Sequence, residues 1–181
     1  ELDAVAGDGD FGMSLSKGFK QIKTEWDTLE KENIGVFLKN CGMIITEYCG
    51  GASGPIWGSA FRSMAKYAQD REELNVLEIG ELLSEAVEGI QKRGGAKLGD
   101  KTLLDALIPA AEAIKNNYNK EFFESMKEGA KAAREGAEKT KEISASKGRA
   151  SYVGDRSLNH PDAGAMAIGV IFNSIIKNYK Y

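Results

Sequence analysis

Three aspartates, Asp3, Asp8 and Asp10, stand five and two residues apart near the start of the sequence, with Gly7, Gly9 and Gly12 between and after them. That spacing fits neither one helix face nor one strand face, so the carboxylates converge only where the backbone turns sharply. Glycine permits such a turn because it reaches positive φ without a Cβ clash. Held close together, three ionised carboxylates repel one another unless a cation sits among them. Hard oxygen ligands of this kind suit Mg²⁺ or Ca²⁺ rather than zinc or copper. The competing reading is an acidic, solvated turn, since Asp-Gly pairs are common in turns. An EF-hand does not fit, because that loop needs a ligand where Gly12 stands and a bidentate Glu where Phe19 stands.

Further glycine-rich stretches lie downstream. Gly94 to Thr102 resembles a P-loop, but Asp100 intrudes between Gly99 and Lys101, and the preceding residues read as helix rather than strand. The pattern is rejected as a P-loop and kept as a glycine loop near a nucleotide. Ser53, within Gly50-Gly51-Ala52-Ser53-Gly54-Pro55, suits either a helix cap or a hydroxyl touching phosphate. It is not a hydrolase nucleophile elbow, which requires a preceding strand and a base partner. Lys147 to Ser157 is the longest stretch without helical periodicity, and long structured loops in compact domains are often functional. Arg149 and Arg156 in that stretch suit phosphate through a planar, bidentate guanidinium, or are simply solvated charges. The one histidine, His160, precedes Pro161, where a structural role is the default.

The elements that must position these residues read as helices nearly throughout. Leu15, Phe19, Ile22, Trp26 and Leu29 recur at three and four residues, and a break follows at Asn33 and Gly35. A second stripe runs from Ile34 to Tyr48 and ends at Gly50-Gly51. A shorter helix is predicted from Pro55 with Ser53 or Gly54 as cap. Ile79 to Ile90 forms the cleanest stripe, closed by Gly94-Gly95. Thr102 with Asp105 resembles a capping box opening a helix to about Tyr118, which Pro109 should kink. An Ala/Lys/Glu-rich helix follows over 121–142, and Pro161 opens the last helix, with Ile168, Ile171, Phe172, Ile175 and Tyr179 on one face. No strand of convincing alternation occurs. The expectation is an all-α, antiparallel up-and-down bundle of about seven helices. In such a bundle alternate loops share an end, so several glycine loops together would form a floor for an anion.

Composition narrows the function classes. With 181 residues, 42% hydrophobic and 28% charged, the chain suits one globular domain. A net charge of −3 argues against broad affinity for nucleic acid, and no apolar run approaches the ~20 residues that cross a bilayer. Cys41 and Cys49 fall on one predicted helix, about 12 Å apart by the helical rise, too far to bridge. They read as small buried apolar residues in a reducing cytoplasm. The sequence opens in what reads as the middle of an element and lacks an initiator Met.

Taken together, the Leu2–Asp10 stretch, Gly50–Pro55, Gly94–Asp105, Lys147–Tyr152 and His160–Ala165 resemble the nucleotide-binding L subunit of dihydroxyacetone kinase, a domain that also forms the C-terminal half of single-chain, ATP-dependent kinases of the family. The resemblance covers essentially all of 1–181 as a single domain. It implies an eight-helix antiparallel barrel holding ADP or ATP with Mg²⁺ in the loops at one end, its first helix lying before Glu1. By motif, Asp3, Asp8 and Asp10 fall on metal-binding positions. Gly12, Met13, Ser14, Ala52, Ser53, Gly94, Leu103, Arg149, Asp162, Ala163 and Gly164 fall on nucleotide or phosphate positions. Arg149 is the catalytic candidate. Two departures stand out: Phe11 replaces the family's usual His beside the phosphates, and Ala163 replaces the usual Pro. The implied partners are a K subunit that holds dihydroxyacetone as a covalent hemiaminal on a histidine, and a phosphotransferase-system M subunit that rephosphorylates bound ADP. A nucleotide-dependent regulator that binds a transcription factor is an alternative of another class.

Overall fold

Helical periodicity becomes eight α-helices among the described residues, 2–6 and 9–179 of this computed structural model. They are α1 (Asp3–Ala6), α2 (Phe11–Thr24), α3 (Ile34–Tyr48), α4 (Ser53–Ala68), α5 (Val76–Gly94), α6 (Leu104–Asn116), α7 (Phe122–Lys139) and α8 (Ala163–Asn178). A 3-10 turn, Thr140–Glu142, and a 3-10 segment, Arg149–Ser157, lie between α7 and α8. No strand occurs among the described residues, so the chain is all-α, as its periodicity predicts, with eight helices where about seven are expected. No helix there is long and apolar enough to cross a membrane.

The chain forms two compact units. One comprises Asp10–Leu74 and Leu82–Gly95; the other comprises Glu1–Gly9, Asn75–Glu81 and Ala96–Tyr181. In the first, α2, α3 and α4 pack on one another over Leu15, Leu38, Ile44, Ile45 and Trp57. Glycines set how closely they approach. A Cβ at Gly58 would overlap the Thr46 hydroxyl, and one at Gly42 would lie 2.9 Å from Phe61 Cβ. In the second unit, α7 packs on both α6 and α8, burying Leu104, Ile114, Ala133, Ala137, Ile168 and Phe172. Pro109 has no N–H to offer the carbonyl of Asp105 one turn back. That carbonyl lies against Gly136 of α7, where any Cβ would overlap it.

Local chemistry explains where the elements begin. Asn33 caps α3 through its side chain, accepting from Val36 N–H at 2.8 Å. Asn75 and Glu78 open α5 with a reciprocal capping box at 2.9 and 2.8 Å. Gly95, at φ +65, ends that helix and donates to the Gln91 carbonyl.

Several boundaries differ from those expected. Helix α2 stops at Thr24, leaving Trp26 and Leu29 in the turn that follows; Leu29 is buried, whereas Trp26 is half exposed beside Phe37. Helix α4 is sixteen residues long and starts at Ser53, so neither Ser53 nor Gly54 is its cap. Its start is fixed instead by backbone contact, since a Cβ at Gly54 would sit 2.5 Å from the Cys49 carbonyl oxygen. The 147–157 stretch is largely a 3-10 segment, entered at Gly148 and broken at Gly154, both at positive φ. Asp162, not Pro161, marks the start of α8. Cys41 and Cys49 are free and buried, as expected, and burial pushes the Cys41 thiol up to about 11.

Candidate functional site

In the unit of α2 to α4, the candidate residues gather where two helices begin. A Cβ at Gly18 would overlap Cys49 Sγ, so α2 lies close against the end of α3 and the loop that leads into α4. Ser14, buried in the first turn of α2, then donates through Oγ to the Gly50 carbonyl at 3.0 Å. This bond ties the start of α2 to the Gly50-Gly51 turn. Gly51 adopts φ +60, which glycine reaches without strain, and hands the chain to Ala52 at the N-cap of α4. Asp10, the N-cap residue of α2, and Ala52, that of α4, make no side-chain cap hydrogen bond of their own. Two neighbouring helix starts bring positive dipole ends to the same region. Around Gly12 and Gly51 a Cβ would meet nothing within 4 Å, so the backbone is open to approach there. Met13 is exposed beside Gly12. Gly94, at the end of α5, brings that helix onto the first turn of α4, where a Cβ would lie 2.9 Å from Ile56 Cδ1. Gly12, Met13, Ser14, Ala52, Ser53 and Gly94 thus share one neighbourhood.

The second unit holds the remaining candidates. Asp162 caps α8, accepting from Ala165 N–H at 2.8 Å, while its own N–H donates to Thr140 Oγ1 at 2.8 Å. Burial pushes its carboxyl up to about 6, with the Asp105 charge adding to the rise and Lys101 opposing it. A Cβ at Gly164 would sit 3.2 Å from Leu103 Cβ, so Asp162, Gly164 and Leu103 form one wall, with Ala163 opening α8 between the first two. Helix α1, which carries Asp3, packs against the 3-10 segment that begins with Arg149. Arg149 itself is exposed. Of the three aspartates, Asp8 lies outside the described residues, Asp3 belongs to this unit and Asp10 to the other. No group of three metal-ligating side chains is found among the described residues.

Sequence reasoning missed the residue that organises this second wall. In the sequence Lys101 is only part of a failed P-loop. It is buried, adopts φ +61, and its Nζ donates to the carbonyls of Thr140 (2.8 Å), Ile143 (3.0 Å), Ser157 (2.6 Å) and His160 (2.8 Å). Burial lowers its pKa, against the pull of the Asp162 carboxylate. No sequence pattern signals this role, because every acceptor is a backbone carbonyl about 40 to 60 residues away. Asp105 makes only half of the expected capping box, since Leu103 is the N-cap residue and Thr102 Oγ1 accepts from Leu104 N–H. Its carboxylate accepts from both Gly99 N–H (2.6 Å) and Thr102 N–H (2.7 Å), and so folds the Gly99–Thr102 turn back onto α6.

Comparison with known proteins places this arrangement among kinases. Residues 5–177 match the DAK2 domain family. The ADP-binding subunit DhaL of PEP-dependent dihydroxyacetone kinase 2 from Listeria innocua is 36% identical over 182 residues, covering 99% of this chain and 84% of that protein. Two crystal structures of the dihydroxyacetone kinase of C. freundii are also similar. The native form superposes with a TM-score of 0.78 at 26% identity, and the complex with AMP-PNP and Mg²⁺ with 0.75 at 25%. Each match covers 98% of this chain and 30% of the kinase chain, so the chain spans about a third of that enzyme's length. The chain therefore belongs to the DAK2 domain family, the enzyme family of the ADP-binding DhaL subunits of dihydroxyacetone kinase.

Proposed function

We propose that the 181 residues act as one DhaL-type domain that holds ADP or ATP with Mg²⁺ and passes a phosphoryl group to dihydroxyacetone presented by a partner K subunit. The observation that carries this reading is the pair of helix starts, α2 and α4, pinned side by side by the Ser14–Gly50 bond. Open backbone at Gly12 and Gly51 suits close approach by a polyphosphate. The relative's ADP-binding role and the AMP-PNP and Mg²⁺ complex of the C. freundii enzyme support the same ligand. Asp3, Asp8 and Asp10 are the metal-holding residues in this reading, and Mg²⁺ when bound neutralises polyphosphate charge beside an acidic protein. The chain's own work is positioning and electrostatics, which is most of what phosphoryl transfer asks of a protein. The helix starts and Ser14, Ala52 and Ser53 cradle phosphate. Gly94, Leu103 and the Asp162-Ala163-Gly164 turn bound the nucleotide. Arg149 offers a guanidinium to the charge on the transferred group.

Because the Listeria relative is PEP-dependent, we favour a bound ADP that an M subunit rephosphorylates in place. The second reading, a domain of a longer ATP-dependent ketose kinase, draws on the likeness to the C. freundii enzyme. A regulator that binds a transcription factor draws no support from these relatives. The two free, buried thiols suit a cytoplasmic setting.

Calorimetry with ADP, with and without Mg²⁺, tests the site. Asp8→Asn and Asp10→Asn should each weaken Mg²⁺-dependent ADP binding at least tenfold with helix content unchanged. Arg149→Ala should slow transfer more than it weakens binding. Wild-type Mg–ADP affinity in both aspartate variants would remove the metal assignment. Free exchange of bound ADP with ATP would favour the ATP-dependent reading.

A further inference from the structure

Lys101 has no part in the reading above, yet its side chain joins the elements that carry that reading. It is 3% exposed, and its ammonium faces four backbone carbonyls, so its three N–H groups share four acceptors. Two of these carbonyls, Thr140 and Ile143, close the turn after α7. The third, Ser157, ends the 3-10 segment that Arg149 begins, and the fourth, His160, lies two residues before the Asp162 cap of α8. Neighbouring bonds brace the same region. Ser157 Oγ accepts from Ala145 N–H at 2.9 Å, Asn159 N–H donates to the Lys141 carbonyl at 2.8 Å, and Thr140 Oγ1 receives Asp162 N–H. A cluster of converging carbonyls is a cation's coordination shell. Here the cation is tethered to the chain. Without it, four carbonyl dipoles would face one another across a buried space, a costly arrangement that moving the segments apart would relieve.

We propose that Lys101 is a positioning residue of the nucleotide site, its ammonium acting as a built-in cation that holds the Arg149-bearing segment in register with the Asp162–Gly164 turn. This rests on the reading of Arg149 and Asp162–Gly164 as nucleotide contacts. Removing the ammonium therefore loosens 143–160 while leaving α6 and α7 intact, and a small free cation that fits the vacated cage restores order.

Three measurements on the full chain decide it. Lys101→Ala should weaken Mg–ADP binding at least tenfold by calorimetry, and ammonium or methylammonium at tens of millimolar should recover most of that loss. Tetramethylammonium, too large and without N–H donors, should recover none. Hydrogen exchange of Lys101→Met should rise at least tenfold over 143–160 but not within α7. In wild-type protein the Lys101 ammonium should give a protected ¹⁵N signal that shifts on adding Mg–ADP. Wild-type ADP affinity in the folded fraction of Lys101→Met, or a loss in Lys101→Ala that ammonium leaves untouched, would overturn the proposal. If neither variant folds, the wild-type signal decides, and its failure to shift with Mg–ADP would overturn it. Should wild-type protein bind no Mg–ADP at all, the nucleotide reading falls separately, and exchange over 143–160 still decides whether Lys101 holds that segment.

Discussion

At the scale of single residues, the candidate site is built from groups whose local conformation favours ligand approach over fold stability. Gly12 sits in the first turn of α2 with nothing within 4 Å of where a Cβ would go. Alanine is the better helix former there, and Gly→Ala at a compatible site stabilises by roughly 0.4–1 kcal/mol. Gly12→Ala should therefore raise the melting temperature while weakening Mg–ADP binding severalfold. A variant that gains stability and keeps full affinity would show that no phosphate lies against this turn. Asp162 behaves differently. Its carboxyl, held up at about 6 by burial, keeps a proton that the unfolded chain has released between about pH 4 and 6. This contribution to stability is fully present below the unfolded pKa and is lost as pH rises through the folded value, on the order of 2–3 kcal/mol in all. Asparagine keeps the oxygen that caps α8 but carries no titrating proton. Thermal melts of Asp162→Asn and wild type should accordingly nearly coincide at pH 4 and diverge by pH 7, the variant melting higher. Parallel curves across that range would mean that the Asp162 carboxyl titrates normally.

At the scale of elements, what was legible in the sequence was periodic, and what was missed was set by contacts distant in the chain. Helix α3 and the Ile168–Phe172 part of the α8 face follow from apolar spacing, whereas Ile175 and Tyr179, expected on the same face, are exposed. The start of α4 departs from its expected position because Gly54 lies against the Cys49 and Thr46 carbonyls, a contact no local cap signal marks. The 3-10 segment from Arg149 reads as loop because its apolar spacing is weak; Lys101 and Ala145 hold it from outside, through the carbonyl and hydroxyl of Ser157. Of the candidate site, the glycines and Asp162 were legible as motifs, whereas the Ser14–Gly50 tie and the Lys101 cage were not. The packing of α6 on α7 gives a test at this scale. Gly136→Ala drives a methyl into the Asp105 carbonyl and against Pro109, both rigid, and should cost about 1–3 kcal/mol. Gly129→Ala instead meets the Ile114 side chain, whose Cγ1 and Cδ1 each lie 2.7 Å away, rather than a backbone carbonyl, so its cost should be smaller. Denaturant titrations that rank the two equally would show that backbone contact does not set this interface.

For the whole molecule, the question is which half of a phosphoryl transfer the chain performs. In the proposed reading its groups hold and neutralise a polyphosphate: helix starts, glycine turns, carboxylates and an arginine. In that proposed reading the ketose is held on a histidine of the K subunit, as a covalent hemiaminal. The only histidine in the 181 residues, His160, has its backbone carbonyl committed to Lys101 and stands two residues before the α8 cap. Such a position suits the nucleotide side and leaves no second imidazole to anchor a substrate. The protein alone should bind Mg–ADP yet phosphorylate dihydroxyacetone at a negligible rate. Adding a cognate K subunit should raise the rate by several orders of magnitude, since presenting the hydroxyl in line converts a bimolecular encounter into an oriented one. Mixing the purified chain with ATP, Mg²⁺ and dihydroxyacetone, with and without that subunit, is sufficient. Robust turnover by the chain alone would mean that it carries its own ketose site, and the division of labour between subunits would have to be abandoned.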